Sequence, residues 1–533
     1  MSLRASPFPN VFLEGLHAVG WGLIFPCFWF LDRLLAVCIS TSLERMWRRE
    51  MECYLHPLQV VFGSVLFFVL FVISTPFALL GFVLWAPLQA VRRPFAYHHQ
   101  EQIIPMEDRN ARWEETGKVS FGFVTGNLCL LPDGVARFNN LGHTQKRAAY
   151  IGKSIVQGVT RPHIRIFVDS PSSCGVVTPS NSFIPQPPPS SYGSIDVFAT
   201  NQTEDVPEAD GIPNPHKHPP RPADVPVEVS ALFPSSVDVV CLQEVFDKRA
   251  AMKLTRALAP LYGHVLYDVG VYACHPAGAC SAFKFFNSGL FLASRFPVME
   301  AEYRCFPNGR GEDALAAKGL LTVKVEIGLQ KGDKRMVGYI NCTHLHAPEG
   351  EGAVRFEQLN MVTKWINEFQ AVTRREDEMV MFDVLCGDFN FDNCSPDDRL
   401  EQSHSVFEEY TDPCRAAAGR EKPWVIGTLL EQPTLYDENM RTPDSLQRTL
   451  ETEELRKDYI SPPVAVEGVP LVYPEPDEPW TGRRLDYLLY RESSVSSHGK
   501  TELEEMTYVT QLAGLTDHVP LAFRLSVSLD TPH

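Results

Sequence analysis

The chain has no long basic block, no CxxC pair, no nucleophile-elbow string and no internal repeat. Each absence narrows the function. With no basic stretch and a formal net charge of -17 over 533 residues, a sequence-independent grip on nucleic acid is disfavoured. The 13 cysteines are thinly spread, many inside apolar runs such as Val239 to Leu242, unlike a zinc knuckle or a disulfide-stapled secreted domain. They suit a reducing, cytosol-facing catalytic part. No Ser or Cys lies in an activating context, so a covalent enzyme intermediate is not expected.

What is present divides sharply along the chain. Residues 1–100 form a membrane region with two stretches free of Asp, Glu, Lys and Arg, at about 15–31 and 57–91. At roughly 1.5 Å per residue the first is shorter than the roughly 30 Å hydrocarbon core, and Pro26 interrupts it; the second is too long for one untilted span and holds Pro76 near its middle. Arg45, Arg48 and Arg49 between the stretches, and Arg92 and Arg93 after them, place both flanks on the cytosolic side by the positive-inside tendency. Two re-entrant or hairpin insertions are therefore favoured over two simple spans. A cleaved leader is disfavoured, as there is no basic start beyond Arg4 and no convincing small-residue cleavage site. Cys53, in the basic loop beside the bilayer, is a candidate for lipidation.

Globular sequence follows at 118–169 and 227–528. Two segments interrupt it: a Pro/Ser-rich flexible insertion at 170–226 and a second polar insertion at 395–483. Strand-like runs occur at Val119 to Val124, Val237 to Leu242, Ser288 to Ser294, Met336 to Thr343, Met379 to Gly387, Leu485 to Tyr490 and Pro520 to Ser526, with a helical pattern at Ala353 to Phe369.

The ends of these runs carry the chemistry. Asp388 and Asn390, in Gly-Asp-Phe-Asn, alternate at the end of the most apolar run, so both side chains point into one pocket at the sheet edge. Asn127, Glu244, His344 and Asp486 likewise sit at strand ends, and Asp517 with His518 precedes the last strand. An ionised Asp organises water and a cation, and a neutral Asn amide donates to a phosphate oxygen without adding charge. Such oxygen-rich ligands suit Mg²⁺ and not zinc. Glu244 is the expected principal carboxylate, with Asn127 beside it. His518 is the expected general base, oriented by Asp486 through its other ring nitrogen, with Asn390 and His344 facing the phosphate oxygens.

In this order the strings Cys-Leu-Gln-Glu-Val-Phe-Asp-Lys-Arg (241–249), Cys-Thr-His-Leu-His-Ala (342–347), Gly-Asp-Phe-Asn-Phe-Asp (387–392) and Gly-Leu-Thr-Asp-His (514–518) resemble the DNase-I-like phosphodiesterase superfamily. With Pro7-Phe8-Pro9-Asn10 and Tyr-Asp-Val-Gly-Val-Tyr (267–272), they look most like the membrane-anchored neutral sphingomyelinases. The resemblance implies an α/β fold, a four-layer α/β/β/α sandwich behind a helical membrane-inserted region. It implies Mg²⁺-dependent hydrolysis of sphingomyelin to ceramide and phosphocholine by direct attack of water, with Mn²⁺ able to substitute. Metal-binding positions fall on Asn127 and Glu244, with Asp517 adjacent, and catalytic ones on Asp388, Asn390 and His518, His344 being a phosphate-facing histidine. Asp313 and Lys318 resemble the Asp and Lys of a switch loop; from residue type alone they read as an exposed ion pair of little energetic worth. Anionic phospholipids are the implied activators, acting through Arg33, Arg45, Arg48, Arg49, Arg92 or Arg93. The short insertion after Ser170 looks like the shorter mitochondria- and endoplasmic-reticulum-associated branch, and Cys274 to Cys280 lacks an adjacent cysteine pair found elsewhere in the family. The alternatives are a lysophospholipid phosphodiesterase or inositol-phosphate 5-phosphatase of the same fold, or a catalytically silent membrane scaffold. A 5-phosphatase would carry Trp-Cys-Asp-Arg where this chain has Arg-Arg-Leu-Asp-Tyr (483–487).

Overall fold

The most apolar runs form the central strands of two stacked sheets. The structure, a computed structural model, describes residues 3–51, 54–103, 117–161, 226–273, 283–331, 334–431, 442–465, 481–492 and 499–529. Cys53, the 274–280 string and all but the last residue of the 170–226 segment lie outside them. The strands are β1 (Ala96–His99), β2 (Lys118–Asn127), β3 (Val227–Ser230), β4 (Val239–Gln243), β5 (His264–Tyr267), β6 (Phe291–Ser294), β7 (Val298–Cys305), β8 (Gly319–Lys331), β9 (Lys334–His344), β10 (Glu378–Asp388), β11 (Arg415–Ala417), β12 (Arg420–Glu421), β13 (Asp486–Tyr490), β14 (Gly499–Val509) and β15 (Leu521–Leu529). One sheet runs β1-β5-β6-β4-β2-β15-β14-β3, the other β13-β10-β9-β8-β7, and β11 pairs with β12 alone.

The sheets meet through a single apolar core. Phe121 and Phe123 of β2 face Phe382 of β10 with ring centroids 4.9 and 5.0 Å apart. Helices Thr144–Val159 and Lys248–Tyr262 cover the outer face of the large sheet, and helix Gly352–Thr373 covers that of the small one. This is the expected four-layer α/β/β/α sandwich.

The segment 395–483 is more than a polar insertion. Its described residues Val425, Leu430, Leu446, Leu450, Tyr459 and Ile460 are buried in the inter-sheet core. They are too widely spaced to make a periodic signal. Strands β7, β8 and β14 also alternate apolar with charged residues. In β7 Val298, Ala301 and Tyr303 point inward, and the intervening charges dilute the apolar run.

The first hundred residues form helices α1 (Val11–Cys38), α2 (Ser42–Glu50) and α3 (His56–Leu88). Pro26 and Pro76 lie within α1 and α3 without ending them. At about 1.5 Å per residue these helices are about 42 and 50 Å long, long enough by length and composition to cross a membrane. The expectation of a short first segment is thus corrected: α1 continues past Leu31 through Asp32 and Arg33. Those charges are satisfied on the globular part, where Arg33 pairs with Asp133 at 2.9 Å and the Gly134 N–H donates to Asp32. α1 and α3 pack antiparallel as one hairpin, crossing where a Cβ on Gly81 would lie 2.6 Å from the Gly20 carbonyl.

Within the small sheet Lys324 of β8 donates to Glu378 of β10 at 2.6 Å and to the Thr373 carbonyl, with both charged side chains fully buried. Removing one member of such a pair strands the other charge in a low-dielectric interior. Glu378→Gln should therefore lower unfolding free energy by about 3–5 kcal/mol in urea denaturation. A Lys324→Met/Glu378→Leu double variant should recover most of that loss.

Candidate active site

Strand register assembles the centre. In β10, Asp388 is directly opposite His344 of β9 on one side and Asp486 of β13 on the other. Three residues distant in sequence therefore stand abreast on neighbouring strand ends. Gly387 permits the close approach: its φ is 145° and a Cβ there would fall 1.9 Å from the Thr343 carbonyl oxygen. From the facing sheet β2 ends in Asn127 beside Gln243 of β4, so Glu244, in the left-handed region at φ 57°, emerges next to it. Asp517 and His518 arrive just before β15.

A hydrogen bond at the rim links the two sheets: the Asn127 Nδ2 amide donates to Asp388 Oδ2 at 2.9 Å. The other Asp388 oxygen accepts from the Asn390 N–H at 2.9 Å. Burial lifts the Asp388 carboxyl to about 6, with His518 opposing and Asp486 adding to the rise. His518 Nδ1 lies 2.7 Å from Asp486 Oδ2, and its Nε2 lies 4.0 Å from Asp388. Burial alone would lower the His518 pKa; Asp486, Asp388 and Asp517 outweigh it and raise it to about 10. His344 behaves oppositely. Burial and the Lys318 charge hold it well below its ordinary value, and both its ring nitrogens are buried without a hydrogen-bond partner.

Glu244 has the signature of a cation ligand. Its Oε2 is buried without a hydrogen-bond partner. Burial and neighbouring Asp517 raise its carboxyl to about 7 although Lys318 and Asn127 oppose this. Carboxylates crowded in this way with one oxygen unengaged fit an oxygen-liganded divalent ion. Asp517 accepts from Asn139 Nδ2 at 3.2 Å and from the Thr516 hydroxyl at 3.3 Å.

One expectation needs correction. Asp313 and Lys318 are not an exposed pair: they meet at 2.9 Å with side chains only 12% and 7% exposed. Asp313 also takes the Ala347 N–H and faces His346 Nδ1 at 3.1 Å, while Lys318 donates to the Leu345 carbonyl. Lys318 above all drives the Asp313 carboxyl below the usual carboxylate range against the cost of burial. The Asn390 side-chain amide, in turn, donates to the Leu345 carbonyl at 2.9 Å. One of its two N–H groups thus braces the Lys318-bound loop.

Arg147 was not legible in the sequence. Its guanidinium donates to the carbonyls of Leu128, Cys129, Gly142 and Leu515, clamping the loop after Asn127 to the loop before Asp517. A lone Arg within a helical stretch gives no signal of this. Arg147→Met removes the donors of several buried carbonyls and should lower stability by about 2–4 kcal/mol, summing losses of about 1 kcal/mol per bond. Thermal or chemical denaturation checks this.

Comparison with known proteins places the chain in a family. The profile described as "Neutral sphingomyelinase N-terminal transmembrane region" matches residues 12–91, and "Endonuclease/Exonuclease/phosphatase family" matches 216–518. The chain is 80% identical to "Sphingomyelin phosphodiesterase 5" of Danio rerio, covering 100% of this chain and 99% of that one. It is 39% identical to "Sphingomyelin phosphodiesterase 3" of Rattus norvegicus, covering 99% of each chain. With "Sphingomyelin phosphodiesterase 5" of Mus musculus identity is 38%, over 99% of this chain and 95% of the other. The apolar hairpin is the membrane anchor of this fold, and the chain belongs to the neutral sphingomyelinase family.

Proposed function

We propose that this protein hydrolyses sphingomyelin to ceramide and phosphocholine at the membrane surface, by direct attack of water with Mg²⁺ as cofactor. The observation that carries the reading is the His344, Asp388, Asp486 row, closed from the opposite sheet by Asn127 and Glu244 and capped by His518. Full-length relatives named for sphingomyelin phosphodiesterase activity support the substrate.

Glu244, with Asn127 and Asp517, would hold the cation, which when bound offsets phosphate charge as a Lewis acid. Asp486 fixes the His518 tautomer, leaving Nε2 turned toward Asp388 as the group that takes a proton from water. The His344 ring nitrogens, which make no internal hydrogen bond although Nε2 lies 3.6 Å from Asp388, would face the phosphate oxygens. Asp388 and Asn390 fix the distance between these groups. Asp313 and Lys318 hold the adjacent loop and would release it when their pairing changes.

Mg²⁺ should support phosphocholine release from sphingomyelin in mixed micelles, Mn²⁺ should substitute, and EDTA should abolish it. His518→Ala should lower kcat by about 10²–10⁴. Equal release under all these conditions would end the hydrolase reading. Phosphatidylcholine and lysophosphatidylcholine in parallel assays separate the lysophospholipid alternative.

The pH dependence has a defined sign. A base must be neutral, so activity rises with pH through the His518 pKa. Asp486→Asn removes the leading influence that raises that pKa. The acid limb of the kcat/KM profile should then move to lower pH while the maximum falls, and an unmoved limb would contradict the pairing. A proton on Glu244 competes with the cation, so the Mg²⁺ concentration giving half activity should rise as pH falls through about 7.

For anionic-lipid activation, the arginines are not equivalent. Arg92 is bound to Asp268 at 2.8 Å and to nearby carbonyls, and Arg33 to Asp32 and Asp133. Arg45, Arg48 and Arg49 lie on α2 beside half-exposed Trp47 and are the better lipid-facing set. Replacing these three by Gln should abolish activation by phosphatidylserine; unchanged activation would refute the assignment. The short insertion favours a mitochondrial or endoplasmic-reticulum membrane, which organelle fractionation tests.

A further inference from the structure

Directly beneath the active centre, three cysteines from the two sheets converge. Cys342 of β9 and Cys386 of β10 are register partners, and Cys241 of β4 faces them from the larger sheet. Their sulfurs lie within 4.8 Å of one another, all three thiols are buried, and none forms a disulfide. Because side chains two apart share a strand face, this layer sits one step below the residues already described. Cys342 underlies His344 and Cys386 underlies Asp388.

Buried cysteines often act as small hydrophobes, which explains burial but not convergence. A second observation separates the trio from that role. The Gln243 side-chain amide, itself fully buried, donates to Cys342 Sγ at 3.4 Å, as well as to the Thr125 hydroxyl at 3.1 Å and the Cys241 carbonyl at 3.5 Å. An amide N–H aimed at sulfur is the outer contact expected of a metal-bound thiolate, whose negative charge it offsets. Sulfur-to-metal distances of about 2.3 Å place three sulfurs bound to one ion about 4 Å apart. Small side-chain rotations reach that from the observed spacing.

We propose that Cys241, Cys342 and Cys386 form a structural site for a thiophilic d¹⁰ cation that staples the two sheets together beneath the active centre. Soft thiolates select Cu⁺ or Zn²⁺ over Mg²⁺. Three sulfurs alone suit Cu⁺; Zn²⁺ would take a fourth donor beyond the trio. Binding replaces S–H bonds with S–metal bonds and releases the thiol protons to solvent. The site is closed, so the ion is acquired during folding and withstands chelators that remove Mg²⁺. The proposal does not depend on the lipid substrate.

The test is elemental analysis of the full chain, purified in detergent with a thiol-free reductant and dialysed against EDTA. About one equivalent of copper or zinc per chain should remain, which also identifies the ion. Each of Cys241→Ala, Cys342→Ala and Cys386→Ala should lower it by about tenfold or more, while Cys414→Ala, a buried cysteine outside the trio, should not. A membrane-permeant thiophilic chelator should lower the wild-type melting temperature over hours. That arm uses wild-type protein and decides the matter even where an alanine variant does not fold. Less than about a tenth of an equivalent in the wild type, metal retained in Cys342→Ala, a disulfide within the trio, or a melting temperature indifferent to the chelator would each overturn the proposal.

Discussion

The Asn127 amide on Asp388 is the contact on which the centre depends. Each sheet alone supplies only part of the set: the larger brings Asn127, Glu244 and His518, the smaller His344, Asp388 and Asp486. The inter-sheet core fixes the separation of the sheets through Phe121, Phe123 and Phe382. The Asn127–Asp388 bridge at its rim, with the His518–Asp486 contact beside it, then sets the alignment. A neutral amide suits this position because a second carboxylate beside Asp388 would add repulsion to a group that burial and Asp486 already push up.

Charge in the centre follows the same plan. Glu244, Asp388, Asp486 and Asp517 crowd a buried space, and the protein answers with His518 and Lys318. Crowding of negative charge helps hold the Glu244 carboxyl at about 7 and the His518 imidazole at about 10. Under the proposed function, a divalent cation would relieve the crowding that lifts the Glu244 and Asp388 carboxyls. The Asp313–Lys318 pair belongs to this balance, since Lys318 lowers both Asp313 and His344 and opposes the rise at Glu244.

Much of this was legible in the sequence, for a physical reason. The candidate site residues stand at the ends of the most apolar strands, where a long hydrophobic run stops abruptly at Asn127, Glu244, His344 or Asp388. The Asp486 contact to His518 followed from residue chemistry as well. What stayed hidden depends on tertiary register. Asp313 and Lys318 read as a surface pair because burial of a short charged loop leaves no periodic trace. Arg147 acts through backbone carbonyls, which no side-chain motif encodes. The 395–483 segment reads as polar because its core residues are isolated. In the anchor, Asp32 and Arg33 mark the end of a charge-free stretch, but the helix continues because their partners lie on the globular part.

The proposed function requires the two half-sites to work as one unit through Asn127 and Asp388. A double-mutant cycle of Asn127→Ala and Asp388→Ala on kcat/KM tests it most directly, with fold monitored by circular dichroism. The account predicts strong non-additivity, the double variant being about as impaired as the worse single variant, as for residues that act together. Additive losses from the two substitutions would show that the sheets contribute independently and would contradict it.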